Sequence, residues 1–259
     1  MKEIKKVTAI IGSARKKATF HAVQEFERNL KEFDKCIEFD YIFLYDTHLE
    51  FCKGCLACIG YGEKLCPLKD DRDMILNKLR QSDGVIFASP NFSFQVTAIF
   101  KNFLDRFSFV YHRPEFFGKT MTAIVTQGWR GGQEILKYLE TMGENLGFTK
   151  SKGCVLTTLD PMTELQKKRL KIEIKKTASR FYEQLSGNNY PVPTLFRLMM
   201  FRIGRKYVQN IDQKFRDYHY YNEKGWFKSG YYYQVRIGFF KSLFGFLFDY
   251  LGVQLAKHI

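Results

Sequence analysis

Residues 7–33 read VTAIIGSARKKATFHAVQEFERNLKEF, and this stretch decides the fold. Val7 to Ile11 is a short, mostly apolar run of strand length, and Gly12-Ser13-Ala14-Arg15 breaks it. Phe20, Val23, Phe26, Leu30 and Phe33 then recur at helical spacing, which predicts a helix over 19–33. A buried strand that turns through a glycine into an amphipathic helix is half of a βαβ unit.

The same alternation continues along the chain. Strands are expected at 37–44, 85–88, 121–126 and 154–157. Helices are expected at 73–81, with Met74, Ile75 and Leu79 turned inward, at 96–109, from Gly131-Gly132 to about 145, and at 163–185. Five strands alternating with helices predict a doubly wound α/β domain with a parallel sheet covered on both faces. Ligands of such sheets bind beyond the carboxyl ends of the strands, so the loops that follow strands deserve the closest reading.

Three of those loops are polar or glycine-rich. In 12–19, the hydroxyls of Ser13 and Thr19, the backbone N–H groups and Arg15 suit a phosphate. The plainer reading is an ordinary basic turn with a threonine cap. The loop lacks the glycines of a P-loop or of a dinucleotide fingerprint. Ser89-Pro90-Asn91-Phe92-Ser93-Phe94-Gln95 combines aromatic and small polar side chains, which suits a flat heteroaromatic ring. The competing reading places at least one of Phe92 and Phe94 in the core. In Thr126-Gln127-Gly128-Trp129-Arg130-Gly131-Gly132, three glycines allow close backbone approach to a ligand, or simply a flexible turn.

Between the second strand and the next helix, a loop at 46–70 carries Cys52, Cys55, Cys58 and Cys66, spaced C-x2-C-x2-C-x7-C and followed by Pro67. Three thiols three residues apart plus one distal thiol before proline are similar to ferredoxin-type cluster binding. Structural zinc more often uses two separated C-x2-C pairs. A cysteine-rich loop without metal remains the alternative. Cys36 and Cys154 fall in strand-like stretches and read as buried small hydrophobes. Asp70, Asp71 and Asp73 read as acids favouring a helix N-terminus, and His112 as a solvated loop histidine.

These motifs resemble the flavodoxin-like NAD(P)H-dependent FMN reductases, and more closely the iron–sulfur flavoproteins among them. The resemblance covers about residues 3–186, through GSARKKAT, CKGCLACIGYGEKLCPLKDDRDMI, ASPNFSFQVTAIFKNFLDRF and TQGWRGG. It implies a five-stranded sheet of order 2-1-3-4-5 and FMN as cofactor. Ser13, Arg15 and Thr19 would hold its phosphate, Pro90, Asn91, Phe92 and Ser93 would line its ring, and Thr126, Gln127, Gly128 and Gly132 would contact the ring's polar edge. It also implies that Cys52, Cys55, Cys58 and Cys66 ligate a [4Fe–4S] cluster that exchanges electrons with FMN, although cluster-free relatives retain several of these cysteines. NAD(P)H or a ferredoxin would be the donor, and a quinone, the cluster or another small molecule the acceptor. No side chain is expected to act as a catalytic residue, because the cofactor carries the chemistry. Homodimers or homotetramers are the common assembly of such proteins. Where relatives carry Gly-Asn-Thr, this chain has Ala18-Thr19, one residue shorter.

Composition divides the 259 residues in two. The chain has 41 Lys+Arg against 27 Asp+Glu, a net +14, which favours anionic ligands and surfaces. Residues 187–259 alone hold 19 of the 43 aromatics and a net +7. We therefore expect a flavodoxin-like domain at 1–187 and a basic, aromatic, mostly helical extension at 188–259, with helices from Leu195 and over 238–257. The extension could pack against the flavin domain or a second subunit, lie on an anionic membrane, or bind nucleic acid. Packing is preferred because so many apolar residues imply burial, and nucleic acid is set aside because no recognition motif is present. A chain with an ordinary apolar fraction is not expected to be disordered. No apolar run reaches a membrane-spanning length, and no secretory leader is recognised, so a cytoplasmic protein without a disulfide framework is expected. The alternatives to an iron–sulfur reductase are a cluster-free FMN or quinone reductase and a non-catalytic, membrane-peripheral electron carrier.

Overall fold

Three hydrophobic strands, β1 (Lys6–Ile11), β3 (Gly84–Pro90) and β4 (Thr120–Gln127), are buried over almost their whole lengths, as strands covered on both faces must be. A computed structural model describes residues 4–159, 161–187 and 190–256. In it β1 lies between β2 (Glu38–Phe43) and β3, every pairing is parallel, and Ile10 stands level with both Ile42 and Phe87. The order is β2-β1-β3-β4, completed on the far side of β4 by β5 (Thr149–Lys150) and β6 (Cys154–Thr157). This is the expected doubly wound α/β order, with one correction.

The fifth lane of the sheet is two short strands rather than one, which makes the sheet six-stranded. Gly153 sits between them, where a Cβ would collide with the Ala123 carbonyl and the Leu136 side chain. The chain passes so close to β4 there that only glycine fits, and the ladder breaks at that point.

One face of the sheet is covered by α1 (Ala18–Phe33) and α7 (Glu164–Ser186). Val23, Phe26 and Leu30 meet Ile174, Ala178 and Phe181 in one core, with the Phe26 and Phe181 rings 5.5 Å apart, edge to face. Gly84 leaves room for Phe181, since a Cβ at that position would stand 2.6 Å from the ring. The remaining first-unit helices are α3 (Arg72–Gln81), α4 (Ala98–Arg106) and α6 (Gly132–Asn145). The Phe87 ring from β3 packs against Phe100 and Phe103 from α4 and against Phe148, at 5.7, 5.9 and 6.4 Å.

Several local expectations are corrected. In α3 the buried side is Arg72, Ile75, Leu76 and Leu79, so Met74 points to solvent. The helix expected at 96–109 starts at Ala98, because Thr97 caps it by accepting the Phe100 N–H. It ends at Arg106, and a separate short helix α5 (Ser108–His112) follows. Cys36 is exposed, since Asp34 accepts its N–H in the turn that precedes β2. Cys154 is buried as expected, and that burial pushes its thiol up to about 12.

The chain forms two compact units. The first takes the stretch up to Lys53, Leu68–Phe107 and the chain from Pro114 through α7. The second gathers Gly54–Pro67, Ser108–Arg113 and the chain from Tyr190 onward. The cysteine-rich loop is thereby divided, its middle assembling with the C-terminal segment. The second unit holds α2 (Ala57–Gly60), α5, α8 (Leu195–Asn210), α9 (Arg216–Glu223) and α10 (Phe239–Ala256). Its small core is aromatic. Trp226 is buried against Tyr221 and Tyr232, with centroids 4.9 and 4.8 Å away, and its indole N–H donates to the Tyr232 carbonyl at 3.0 Å. Asp249, which interrupts the apolar run of α10, accepts from Arg202 at 2.7 Å and from Arg205 at 2.5 and 3.0 Å.

Candidate functional site

The carboxyl ends of β1, β3 and β4 carry the three loops singled out in the sequence, and hydrogen bonds join them within the first unit. Gly12 donates its N–H to the Ala88 carbonyl at 2.9 Å and accepts from the Thr97 hydroxyl at 2.7 Å. A Cβ on Gly12 would lie 2.6 Å from the Phe100 ring, so glycine lets this turn sit down on the start of α4. Ser13 is buried and its hydroxyl donates to the Arg15 carbonyl at 3.2 Å.

Helix α1 begins after Lys17, which supplies no side-chain cap, and no acid stands in its first turn. Its N-terminal N–H groups and the positive end of its dipole are thus left for an external acceptor. Arg15 and Lys17 are exposed beside it. Lys16 is engaged elsewhere, 3.3 Å from Asp46 and 4.4 Å over the Phe43 ring. Thr19 is not the cap. It lies inside the helix, buried, with its hydroxyl 2.7 Å from that of Thr126.

The second loop is a tight reversal. Phe92 and Gln95 exchange both backbone hydrogen bonds, at 2.9 and 3.0 Å, across Ser93 and Phe94, which have φ of 50° and 62°. Left-handed backbone at two consecutive non-glycine residues is strained and is held only where its surroundings over-determine it. Neither phenylalanine enters the core: Phe92 is 54% exposed and Phe94 61%. Asn91 fixes this loop to the third one, donating its N–H to the Thr126 carbonyl and its side-chain amide to the Arg130 carbonyl, both at 2.7 Å.

In the third loop, Gln127 shapes the turn rather than offering a free amide. Its oxygen accepts from Gly132 N–H at 2.8 Å, and its NH2 donates to the Trp129 carbonyl at 3.1 Å and the Thr157 hydroxyl at 3.3 Å. Gly131 has φ of 90°, and a Cβ there would run into the Phe94 ring. Gly132 is buried against Val155, and Gly128 is exposed. The Arg130 guanidinium lies 4.7 Å over the Trp129 ring and 5.6 Å over Phe94, and Trp129 is 76% exposed. The result is an exposed aromatic and cationic surface beside a half-buried Pro90. Phe94, Thr97, Trp129, Arg130 and Gly131 were not among the expected site residues. Phe94, Trp129, Arg130 and Gly131 stand inside the quoted loops, while Thr97 was not singled out by the sequence.

The cysteines divide between the units. In the first unit, Cys52 is exposed, with its N–H donating to the Asn102 side chain at 3.0 Å. Asn102 also donates to the Leu49 and Glu50 carbonyls, at 3.1 Å each. Asp70 accepts the Arg72 N–H at 3.2 Å at the start of α3, as a helix-terminal acid should, and it has a second role. Its buried carboxylate takes a two-pronged ion pair from Arg106, whose second contact is 2.9 Å, and Arg106 also donates to the Glu50 carbonyl at 2.7 Å. Burial would raise the Asp70 carboxyl, but the Arg106 guanidinium and the backbone N–H groups of Glu50 and Arg72 hold it below its usual range.

In the second unit, Cys55 is exposed, Cys58 half-buried and Cys66 buried. Arg113 is buried and donates to the Cys58 carbonyl at 2.6 Å and the Ile59 carbonyl at 3.1 Å, and it pairs with Asp217 and with Glu63 at 3.4 Å. His112 is not a free loop residue, because its Nδ1 lies 2.9 Å from Asp217. Among the described residues, no three Cys, His, Asp or Glu side chains are grouped as a metal requires. Within the second unit, Cys55, Cys58 and Cys66 are therefore not drawn together around one centre. For FMN the fit is better: an uncapped, acid-free helix start flanked by Arg15 and Lys17 suits a phosphate, and the exposed aromatic loops suit a planar ring.

A family profile described as NADPH-dependent FMN reductase matches residues 5–158. An iron–sulfur flavoprotein of Archaeoglobus fulgidus is 34% identical over 130 residues, which is 50% of this chain and 57% of that protein. The chain thus spans little more than half the length of this relative. An iron–sulfur flavoprotein of Methanocaldococcus jannaschii is 32% identical over 201 residues, 70% of this chain and 96% of that protein. Among solved structures, the NAD(P)H:quinone oxidoreductase of Methanothermobacter marburgensis superposes with a TM-score of 0.57 at 14% identity, over 73% of this chain and 100% of that one. An azoreductase of Bacillus anthracis gives 0.54 at 15% identity, over 69% and 99%. At such identities the structural likeness shows the fold alone.

Proposed function

The chain belongs to the NADPH-dependent FMN reductase family, with iron–sulfur flavoproteins among its relatives, and from that premise we propose that it is an FMN-dependent oxidoreductase taking electrons from NAD(P)H. The observation that carries this reading is the junction of three strand-end loops around an uncapped helix start, tied by the Thr19–Thr126 hydroxyl pair and the Asn91 bonds. It lies where doubly wound sheets bind ligands. Bound FMN supplies an acceptor for a hydride and a donor of electrons, so the protein's task is to hold and orient it.

In this reading the first N–H groups of α1, the Ser13 hydroxyl and Arg15 bind the phosphate, and Arg15 adds charge-assisted bonds. Thr19 acts through Thr126, fixing the helix start against the end of β4. Pro90, Asn91, Phe92 and Ser93 line one side of the ring, and the backbone of Thr126, Gln127, Gly128 and Gly132 lines its polar edge. Phe92 and Trp129 supply apolar area that excludes water around the ring. Residues 1–187 carry this chemistry, a quinone or another small molecule accepts the electrons, and the working assembly is a homodimer or homotetramer.

Two readings of Cys52, Cys55, Cys58 and Cys66 follow: a cluster-free reductase, and one whose cysteine loop holds a [4Fe–4S] cluster, in line with the names of its iron–sulfur flavoprotein relatives. Anaerobic purification tests both readings. Protein that takes up FMN stoichiometrically, is bleached by NADPH and carries no iron or sulfide supports the cluster-free reductase. Iron and sulfide with broad absorption would restore the cluster. Bleaching by a reduced ferredoxin and not by NAD(P)H would make the protein an electron carrier. Failure to bind FMN would overturn the proposal. Arg15→Ala is expected to weaken FMN binding by about tenfold, with the loss shrinking at high salt because Arg15 is exposed.

A further inference from the structure

Helix α10 is built inside out. Glycines, one phenylalanine and an acid make up its buried side: Gly245, Phe248 and Gly252 are buried, and Asp249 is clasped by Arg202 and Arg205. A Cβ on Gly252 would come within 2.8 Å of the Lys206 side chain and 3.1 Å of the Ile203 backbone, so glycine allows the two helices to close on each other. Its large apolar side chains other than Phe248 face solvent. Phe239 is 78% exposed, Phe240 77% and Phe246 70%, and Leu243 and Tyr250 are also exposed. On α8, Phe196 and Met200 are exposed one turn apart. A contiguous apolar surface of this kind on a water-soluble unit marks an interaction site.

We propose that this face of the second unit docks on an anionic lipid bilayer, with α10 lying in the interface plane. Charge selects the occupant. Residues 190–259 carry 11 Lys+Arg and 4 Asp+Glu. All four acids are already engaged within the unit: Asp249 with Arg202 and Arg205, Asp217 with Arg113, Glu223 with Arg216, and Asp212 with Lys214. Lys224, Lys228 and Arg236 are exposed. A second copy of this chain on the same face would set one net +7 against another, whereas an anionic leaflet complements that charge. Phenylalanine and leucine beside lysine and arginine are the composition of helices that rest in the headgroup boundary. No helix among the described residues is long and apolar enough to cross a membrane, so α10 lies on the bilayer rather than through it.

The proposal does not depend on the flavin reading, and the two are measured separately. The full-length protein is floated with vesicles of phosphatidylcholine alone and of phosphatidylcholine with phosphatidylglycerol, at low and high salt, while FMN uptake is followed in parallel. The proposal expects flotation with the anionic vesicles, weaker in high salt. Phe240→Ser with Phe246→Ser, and separately Lys228→Glu with Arg236→Glu, should each cut the bound fraction by about tenfold with the thermal midpoint unchanged. Either no flotation at low salt or wild-type binding by the serine variant overturns it. So does a dimer, seen by light scattering, that the serine variant converts to monomer without any vesicle binding. Protein that floats but takes up no FMN would sink the oxidoreductase reading and leave this one standing.

Discussion

The hydroxyls of Thr19 and Thr126 meet at 2.7 Å across 107 positions of sequence, joining the first turn of α1 to the end of β4. Both are buried. Thr126→Val keeps the shape and leaves the Thr19 hydroxyl without this partner in a dry site, which costs about 1–3 kcal/mol. The expected outcome is a lower urea midpoint and FMN binding weakened by about fivefold or more. Denaturation curves and quenching of flavin fluorescence on titration measure the two effects. Unchanged FMN affinity would remove this pair from the site.

Gly131 is the next point to test. With φ of 90° and Phe94 against it, alanine must both adopt left-handed backbone and displace an aromatic ring. Gly131→Ala should destabilise the first unit by about 1–3 kcal/mol and loosen the pairing of the second and third loops. Gly128→Ala, at an exposed position with ordinary room for a Cβ, is the control and should change stability little. If both alanine variants melt alike, the close approach has no energetic weight.

Asp70 and Arg106 predict a pH dependence. The folded Asp70 carboxyl sits below its ordinary value of 3.8, so the unfolded chain takes up a proton at a higher pH than the folded one. Its contribution is therefore complete above the ordinary carboxylate range and is lost as pH falls through that range toward the lower folded value. Asp70→Asn removes the carboxylate from a buried ion pair and should cost about 3–5 kcal/mol near neutral pH. In acid titrations of stability, the variant should lose less than the wild type between about pH 5 and pH 3. Parallel wild-type and variant curves would show that another group sets the acid limit.

Arg113 and Asp217 hold the middle of the cysteine loop to α9. Arg113→Met removes two bonds to the Cys58 and Ile59 carbonyls and leaves Asp217 with only His112 among the partners described above. We expect a loss of about 3–5 kcal/mol in the second unit and much faster alkylation of Cys66, which is buried in the intact protein. Mass spectrometry of timed iodoacetamide labelling reads that rate for each cysteine. Equal labelling rates in wild type and variant would deny the arginine its role.

The strand–loop–helix rhythm was legible because hydrophobic period and glycine breaks are local properties, whereas the order β2-β1-β3-β4 was expected only through the resemblance to flavodoxin-like reductases. The split at Gly153 was not, since it arises from contact with the Ala123 carbonyl of another strand. The inward set of α3 was misread at Met74 because a ten-residue helix with few apolar positions allows two phase choices, and only packing selects Leu76. The three loops were visible in composition, whereas their joining by Thr19, Asn91 and Gln127 depends on long-range geometry. Beside the reading of this loop as a ring-binding surface, hydrophobicity alone allowed at least one of Phe92 and Phe94 in the core. The left-handed turn at Ser93 and Phe94 carries both rings into solvent instead. Asp70 was read correctly as a helix-terminal acid, but its ion pair was not legible because the partner, Arg106, lies 36 positions away.

The assembly of the second unit from 54–67, 108–113 and the chain after Tyr190 has a consequence in time. Its first piece leaves the ribosome long before its last. From Pro67 to the end of α10 is about 190 residues, roughly 10–40 seconds of synthesis at ordinary elongation rates. During that interval Cys66, buried in the finished unit, and the half-buried Cys58 travel on a nascent chain that lacks the C-terminal helices. The sheet can form meanwhile from elements already made, but the cysteine loop waits for the final helices. Its thiols meet the redox state and metal supply of their surroundings before the fold closes over them, so their chemical state in the finished protein is decided by the order of events as well as by the native contacts.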